Sequence, residues 1–290
     1  MISVEPVLAV GIMEGRQEIT GAFTGGYRDG CGDGKEGSFR CRRTGKGWEL
    51  TCGDVVTLYE GADLRFQPAT PSSVVRLDDV TIGINFHWER KEPQIFRGGL
   101  RLVDVAGQGI TAINEVPLEE YLKSVISSEM SATAPAALLE AHAITSRSWL
   151  VAMLERRAQV VSAPPGARTT PAGMEIVRWY TREDHDAFDV CADDHCQRYH
   201  GVTKIISPAA ADAVEATRGV FLVYDNEVCD ARFYKACGGR TEDFASAWED
   251  REIPYLRSVM DADTARPPVT TERDMAAWLW QVIWHSWVIK

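Results

Sequence analysis

The sequence predicts an α+β fold, in which a β-rich N-terminal region of short strands packs with a mixed helical and β region around a cleft. Short runs of alternating or β-branched apolar residues fill the first part of the chain, and a helical period replaces them from Asn114 onward. We therefore expect a β-rich region over 1–110, a mixed region with a His/Cys cluster over 111–262, and a helical tail over 263–290.

The N-terminal strands are predicted from apolar runs that turn residues separate. β-branched side chains fit a pleated surface, and the Gly, Asp and Pro clusters between the runs favour turns. The loop GGYRDGCGDGKEG lacks the ligand spacing of a calcium loop, so a hairpin is favoured there. The predicted strands are VLAVGI, DVVTLY, SVVRL, VTIGINF and LRLVDV.

The first predicted helix is PLEEYLKSVISSEM. Pro117 suits the first turn, and Glu119 and Glu120 favour the positive end of the helix dipole. At an advance of about 100° per residue from Leu118, Glu129 falls at about 20°, inside the apolar stripe. Burial and the negative helix end both disfavour the charged carboxylate, and a protonated carboxyl is what a general acid requires. The alternative is a local cap or salt bridge at a frayed helix end.

A second helix is predicted from near Pro135 to about Leu154, through LLEAHAITSRSWLVAML. His142 falls on the apolar side of this helix, which predicts a histidine of the core or of a cleft wall. Arg147 falls on the opposite side, where a solvated arginine is the ordinary interpretation. A short helix, PAAADAVEATRG, and two strands, VFLVYD and VCDARFYKA, are predicted further on.

The stretch HDAFDVCADDHC places two histidines and two cysteines close together: His185, Cys191, His195 and Cys196. Zinc takes four imidazole or thiolate ligands in a tetrahedron. The spacing matches neither a Cys-x2-Cys finger nor HExxH, and a Cys191–Cys196 disulfide or two buried thiols are alternatives. A metal held by all four side chains would be structural, because no position is left for a catalytic water.

Composition excludes one class of partner. The 290 residues carry a formal net charge of −11 with a pI near 5.1, whereas nucleic-acid binding needs a concentrated basic surface. The N-terminal MISVEPVLAVGIMEG shows no secretory signal pattern. The Trp-rich C-terminal MAAWLWQVIWHSWVIK predicts a buried terminal helix, with a lipid-surface helix or an incomplete chain as alternatives, so contact with a membrane stays open.

Several stretches, in one order, resemble the stage II sporulation protein D family, which is related to the amidase enhancers. The resemblance covers about residues 95–262. Three differences stand out: Ser131 replaces the family's Pro after Glu-Met, ALLEAHA replaces a Glu-Ala-Leu-Lys-Ala-Gln-Ala run, and Cys237 replaces the Ser of a Ser-Gly-Gly loop. The matching stretches are NEVPLEEYLKSVISSEM, AITSRSW, FDVCADDHCQRYHG, AVEATRGVFLVY and KACGGRTEDFASAWED with PYLRSVMD.

The resemblance implies a catalytic region over 111–262 in a lytic transglycosylase that cleaves peptidoglycan glycan strands to 1,6-anhydro-muramyl ends. Glu129 then acts as general acid and afterwards as base, and Arg147 orients it or binds the sugar. The substrate implies an extracytoplasmic location. Gln197, Tyr199, Gly238 and Gly239 are candidates for lining the cleft, with a purely structural role as the alternative. The resemblance assigns a structural zinc to His185, Cys191, His195 and Cys196.

Two rival functions stay open at this level. One is a non-catalytic wall-binding module that stimulates a separate cell-wall amidase, as the enhancer name suggests. The other is a hydrolase that pairs Glu129 with a distant acid such as Asp193, since ordinary glycosidases use two carboxylates. A lytic transglycosylase needs only one, because the sugar's own C6 hydroxyl replaces water.

Overall fold

The computed structural model describes residues 4–159, 185–233 and 240–260, apart from positions 46, 85, 106, 206, 249 and 250. It confirms the α+β class, with a large mixed sheet followed by helices. The segment 160–184, the glycines Gly238 and Gly239, and the C-terminal tail lie outside the described residues.

The strands lie mostly before the first helix, as the sequence predicted. In chain order they are β1 Val7–Arg16, β2 Glu18–Asp29, β3 Gly34–Thr44, β4 Gly47–Cys52, β5 Val55–Glu60, β6 Asp63–Pro68, β7 Val74–Ile82, β8 Arg90–Arg97, β9 Gly99–Val105, β10 Gly109–Pro117, β11 Val190–Cys191, β12 Val223–Tyr224 and β13 Glu227–Val228.

The described helices are four α-helices and one short 3-10 turn. They are α1 Leu118–Glu129, α2 Ala136–Gln159, a 3-10 helix Gly201–Lys204, α3 Pro208–Ala216 and α4 Phe244–Ala247. No described helix is both long enough and apolar enough to cross a membrane.

Eleven of the described strands form one sheet. Its main path runs β11-β1-β10-β9-β6-β2-β3-β4-β5, while β7 pairs with β2 and β8. All its pairings are antiparallel except that of β11, which joins β1 in parallel through Val10↔Val190 and Gly11↔Cys191. This one parallel contact fastens the His/Cys stretch to the N-terminal sheet.

Two predicted strands are a single strand in the structure. SVVRL and the first residues of VTIGINF both belong to β7, whose pairing with β8 shifts between Leu77 and Val80. Asp79 adopts φ 55° at this bulge, so the chain bends and the alternation restarts. The remainder of VTIGINF leaves the sheet and forms a loop, residues 83–89.

The core of the sheet is built from aromatic side chains that alternate inward. Phe23 stacks on Phe39 with ring centroids 4.4 Å apart and meets Phe66 at 5.0 Å. All three rings are buried. Such rings supply large apolar areas, which stabilise a sheet whose hairpins alone would be marginal.

Helix α1 begins where the sequence predicted and ends at the candidate acid, Glu129. Its first N–H groups have no partner inside the helix, and the N-terminal segment supplies acceptors. The Leu118 N–H donates to the Pro6 carbonyl at 3.0 Å, and the Glu119 N–H donates to Glu5 Oε1 at 3.0 Å. The helix start is therefore fixed by the residues just before β1.

The chain divides into two compact units, residues 1–144 with 184–220, and residues 145–183 with 221–290. The first unit holds the sheet, α1, the start of α2, the His/Cys stretch and α3. The second holds the rest of α2, and there the Leu222 N–H donates to Ser148 Oγ at 2.9 Å. The boundaries expected at 110 and 262 stay predictions.

Candidate functional site

Glu129 is the last residue of α1 and is partly buried. The buried face of the same helix carries Tyr121, Leu122 and Val125. The carboxyl therefore lies at the negative end of the helix and is only partly buried, whereas the helical period predicted a place in the middle of the apolar stripe.

One oxygen of Glu129 has a defined donor. The backbone N–H of Arg198 donates to Glu129 Oε1 at 2.8 Å, across 69 positions of sequence. A backbone donor fixes the direction of the carboxyl group and strengthens when the group ionises. The contact thus suits a carboxyl that alternates between the acid and the carboxylate.

The segment that carries Arg198 is fastened at both ends. On one side, the Asp189 N–H donates to the Ala9 carbonyl at 2.8 Å and the Ala192 N–H to the Gly11 carbonyl at 3.0 Å. On the other, the His200 N–H donates to Ser124 Oγ of α1 at 3.0 Å. The segment therefore bridges the sheet and the helix that holds Glu129.

Gly11 shows how closely this segment packs on β1. A Cβ at Gly11 would lie 2.5 Å from the Phe188 ring, so only glycine leaves room for it. Phe188 in turn packs with Ile113 and Cys191 in one buried cluster. Cys191 is thereby held at the sheet edge by packing as well as by strand pairing.

The four predicted metal ligands come together. Their ligand atoms all lie within 4.8 Å of one another: His185, Cys191, His195 and Cys196. Cys196 Sγ lies 3.4 Å from His195 Nδ1 and 3.4 Å from His185 Nε2. Cys191 and Cys196 are free thiols, so the disulfide alternative is not what the structure contains.

This arrangement fits a tetrahedral metal ion. Zinc–sulfur bonds of about 2.3 Å and zinc–nitrogen bonds of about 2.0 Å imply ligand–ligand edges of roughly 3.5 Å. The two sulfur–nitrogen separations at Cys196 match that edge, and all four ligand atoms lie within 4.8 Å of one another. Neighbouring Cys196, together with both histidines, lowers the pKa of Cys191, which favours the thiolate that a metal requires.

Arg147 lies in α2 and is fully buried. The solvated arginine that the helical period suggested is therefore wrong. A guanidinium remains charged when buried, so it needs acceptors around it. Its predicted role toward Glu129 or the sugar stays a prediction.

Gln197 and Tyr199 are both buried. Tyr199 stacks on Tyr121 with ring centroids 4.9 Å apart, and its hydroxyl donates to Asn114 Oδ1 at 2.7 Å. Asn114 is held in turn, because its side-chain amide donates to the Arg97 and Gly99 carbonyls. These contacts fasten the segment that carries Arg198. The predicted cleft-lining role of Gln197 and Tyr199 stays a prediction.

Gly201 closes this segment and gives a first prediction. Its φ is +56°, and a Cβ there would lie 2.1 Å from the Ile95 carbonyl oxygen. We expect Gly201→Ala to lower the free energy of unfolding by roughly 3 kcal/mol or more, since strain and a backbone clash add. Gly219→Ala is the control, because its φ is +70° with open space around it, and strain alone costs about 1 kcal/mol. If Gly201→Ala and Gly219→Ala lost the same free energy of unfolding in urea, the predicted clash with Ile95 would be contradicted.

His142 is buried in α2, as predicted, and gives a pH-dependent prediction. Burial lowers its pKa to about 4, against about 6.5 in an unfolded chain. Between these values the unfolded chain binds a proton that the folded protein excludes, so stability falls as the pH drops from about 6.5 toward 4. The contribution lost by pH 4.5 is roughly 2–3 kcal/mol.

The test is His142→Gln, which removes the titrating group. We expect the variant to lose less stability than wild type between pH 7 and pH 4.5 in urea unfolding. His200, whose pKa is also lowered to about 4 by burial, still contributes in both proteins. His87→Gln, at an exposed position, is the control. Parallel stability curves for His142→Gln and wild type would contradict the prediction.

Three contacts of the site were missed from the sequence: those of Arg198, Ser124 and Asn114. Arg198 and Ser124 act through a backbone N–H and a hydroxyl that long loops bring together, so no spacing signals them. Arg198 does lie between Gln197 and Tyr199, inside a stretch already singled out. That position was the one sequence signal that could have marked Arg198 as a residue of the site.

Comparison with known proteins shows which family the region around Glu129 and the His/Cys cluster is similar to. A model of the family described as "Stage II sporulation protein" matches residues 106–224. Those residues belong to the stage II sporulation protein D family. The matched part contains Glu129, Arg147 and the four candidate metal ligands, whereas strands β1–β9 precede it.

Curated relatives agree with this assignment. The chain is 29% identical over 148 residues to stage II sporulation protein D of Bacillus subtilis (strain 168), which covers 51% of this chain and 39% of that protein. It is 26% identical over 148 residues to the protein of the same name from Bacillus amyloliquefaciens. An uncharacterized protein of Brachyspira hyodysenteriae is 26% identical over 147 residues. The chain thus spans less than half the length of these relatives.

Proposed function

We propose that this protein is a lytic transglycosylase that cleaves the glycan strands of peptidoglycan and leaves 1,6-anhydro-muramyl ends. The observation that carries the proposal is Glu129, a partly buried carboxyl at a helix end, oriented by the Arg198 N–H at 2.8 Å. Membership of residues 106–224 in the sporulation protein D family supports it.

In the proposed reaction, protonated Glu129 gives its proton to the oxygen that leaves C1 of the N-acetylmuramyl residue, and the C1–O bond breaks. The carboxylate then takes the proton of the C6 hydroxyl, whose oxygen closes onto C1 as the anhydro ring. Glu129 ends protonated, and no water is consumed. The Arg198 N–H stabilises the carboxylate stage, since hydrogen bonds to an ionised acceptor are the stronger ones.

The contacts of Asp193 and Asp194 support the one-carboxylate mechanism over hydrolysis with a second catalytic acid. Asp194 pairs with the Arg198 guanidinium, and Asp193 Oδ2 accepts the Ile84 N–H at 3.3 Å. A general base that activates water must be able to approach the sugar. Both carboxylates instead make contacts that hold the protein together.

The remaining residues have proposed supporting roles. Arg147 orients Glu129 or binds the sugar, and Gln197, Tyr199, Gly238 and Gly239 line the cleft. His185, Cys191, His195 and Cys196 hold a structural zinc, which would supply rigidity and no reactive water. The glycan substrate implies that the protein acts outside the cytoplasm.

The alternative is a non-catalytic wall-binding module that stimulates a cell-wall amidase. Digestion of purified glycan strands, followed by mass spectrometry, separates the possibilities. Anhydro-muramyl products from wild type, absent with Glu129→Gln, are the expected result. Reducing ends would identify a hydrolase, and binding without cleavage by either protein would identify the module.

A further inference from the structure

The guanidinium of Arg198 is held by two other residues. Its Nε donates to Asp194 Oδ1, and a terminal nitrogen donates to Asp194 Oδ2 at 3.0 Å. Its central carbon lies over the Trp88 ring, 5.1 Å from the centroid. A planar guanidinium is suited to a two-pronged carboxylate contact and to stacking at once.

Trp88 belongs to the loop 83–89 and is itself fixed there. It stacks on Phe86 with ring centroids 5.2 Å apart and an interplanar angle of 14°. Gly83 has φ +67°, and a Cβ there would lie 2.1 Å from the Trp88 ring. Two turns close the loop, since the Phe86 N–H donates to the Gly83 carbonyl and the Glu89 N–H to the Phe86 carbonyl, each at 3.0 Å.

The same loop makes a second contact with the segment that carries Arg198. The Ile84 N–H donates to Asp193 Oδ2 at 3.3 Å. Loop 83–89 therefore meets residues 193–198 at two points, one at Asp193 and one at Arg198. This loop precedes the residues that the family shares.

The Arg198 residue is thus restrained through its C-terminal neighbours and through its own side chain. On its C-terminal side, the Tyr199 N–H donates to the Ala192 carbonyl at 3.0 Å and the His200 N–H to Ser124. Asp194 and Trp88 contact the Arg198 guanidinium and so restrain rotation of the Arg198 side chain. The peptide that donates to Glu129 has little freedom left.

We infer that Arg198 is a positioning residue for Glu129, and that its clamp by Asp194 and Trp88 aims its backbone N–H at the carboxyl group. The β-rich region thereby controls the geometry of the acid through loop 83–89. This inference rests on the proposed function, because it assigns a task to the same carboxyl.

The kinetic test removes the ring. Trp88→Ala is expected to lower kcat for glycan cleavage about tenfold with KM changed by less than about twofold, since misorientation of the acid slows chemistry rather than binding. Trp88→Phe, which keeps an aromatic face, should recover most of the loss. His87→Ala, an exposed neighbour in the same loop, is the matched control and should behave as wild type.

A second measurement is independent of turnover. Hydrogen exchange of the Arg198 amide should be at least about tenfold faster in Trp88→Ala and in Glu129→Ala than in wild type, and unchanged in His87→Ala. Unchanged exchange in Trp88→Ala overturns the inference, even where kcat falls, because the ring would then act on the substrate. A wild type that cleaves no glycan overturns the proposed function. The exchange data would still test whether Trp88 helps to position the Arg198 N–H.

Discussion

Glu129→Gln is expected to lower kcat for glycan cleavage by roughly 10³-fold, because general acid catalysis contributes about 10²–10⁴-fold. The amide cannot donate an acidic proton, yet its carbonyl oxygen can still accept the Arg198 N–H. The free energy of unfolding should therefore change by less than about 1 kcal/mol. The measurement is release of anhydro-muramyl ends from glycan strands, with urea unfolding alongside.

Glu120→Gln is the matched control on the same helix. Glu120 lies in the first turn of α1, is partly exposed, and pairs with Lys123 and Arg97. Its replacement should leave cleavage within about twofold of wild type, since Glu120 lies at the opposite end of α1 from the proposed acid. A Glu129→Gln protein with wild-type turnover would exclude Glu129 as the acid.

The second large effect is expected at the His/Cys cluster. Cys191→Ser should abolish metal binding and lower the free energy of unfolding by at least about 3 kcal/mol, because a structural zinc contributes its binding energy to folding. For a chain of this size that corresponds to a fall in Tm of roughly 5 °C or more. The wild type treated with a chelator should show a similar fall.

Cys31→Ser is the control, because Cys31 is an exposed cysteine in the turn between β2 and β3. It should retain the metal and the wild-type Tm. Elemental analysis of protein purified without added metal should give about one zinc per chain. A ratio near zero in that protein would remove the four-ligand site.

The His/Cys cluster and the residue that contacts Glu129 are close along the chain, so loss of the metal should also affect Glu129. Cys196 precedes Arg198 by two positions, and the Arg198 N–H contacts Glu129. Loss of the metal should therefore reduce cleavage as well as stability. Cleavage that persists at the wild-type rate after complete metal removal would separate the zinc from the positioning of the acid.

Strand prediction shows where local signals were sufficient. β1, β5 and β9 were predicted because their side chains alternate or branch at Cβ. β2, β3 and β8 were missed, since glycines and charges interrupt the apolar period in EITGAFTGGYRD, GKEGSFRCRRT and RKEPQIFR. Their places are decided by neighbouring strands rather than by their own residues.

The sequence by itself determined the α+β class, the start of α1 after Pro117 and the four candidate metal ligands, because periods and short spacings are local properties. Only the tertiary structure decided that Arg147 is buried, that Tyr199 packs on Tyr121, and that the Arg198 N–H reaches Glu129. These facts depend on contacts between residues far apart in the chain, and backbone donors carry no residue-type signature. For the same reason, the contacts of loop 83–89 with Asp193 and Arg198 are visible only in the tertiary structure.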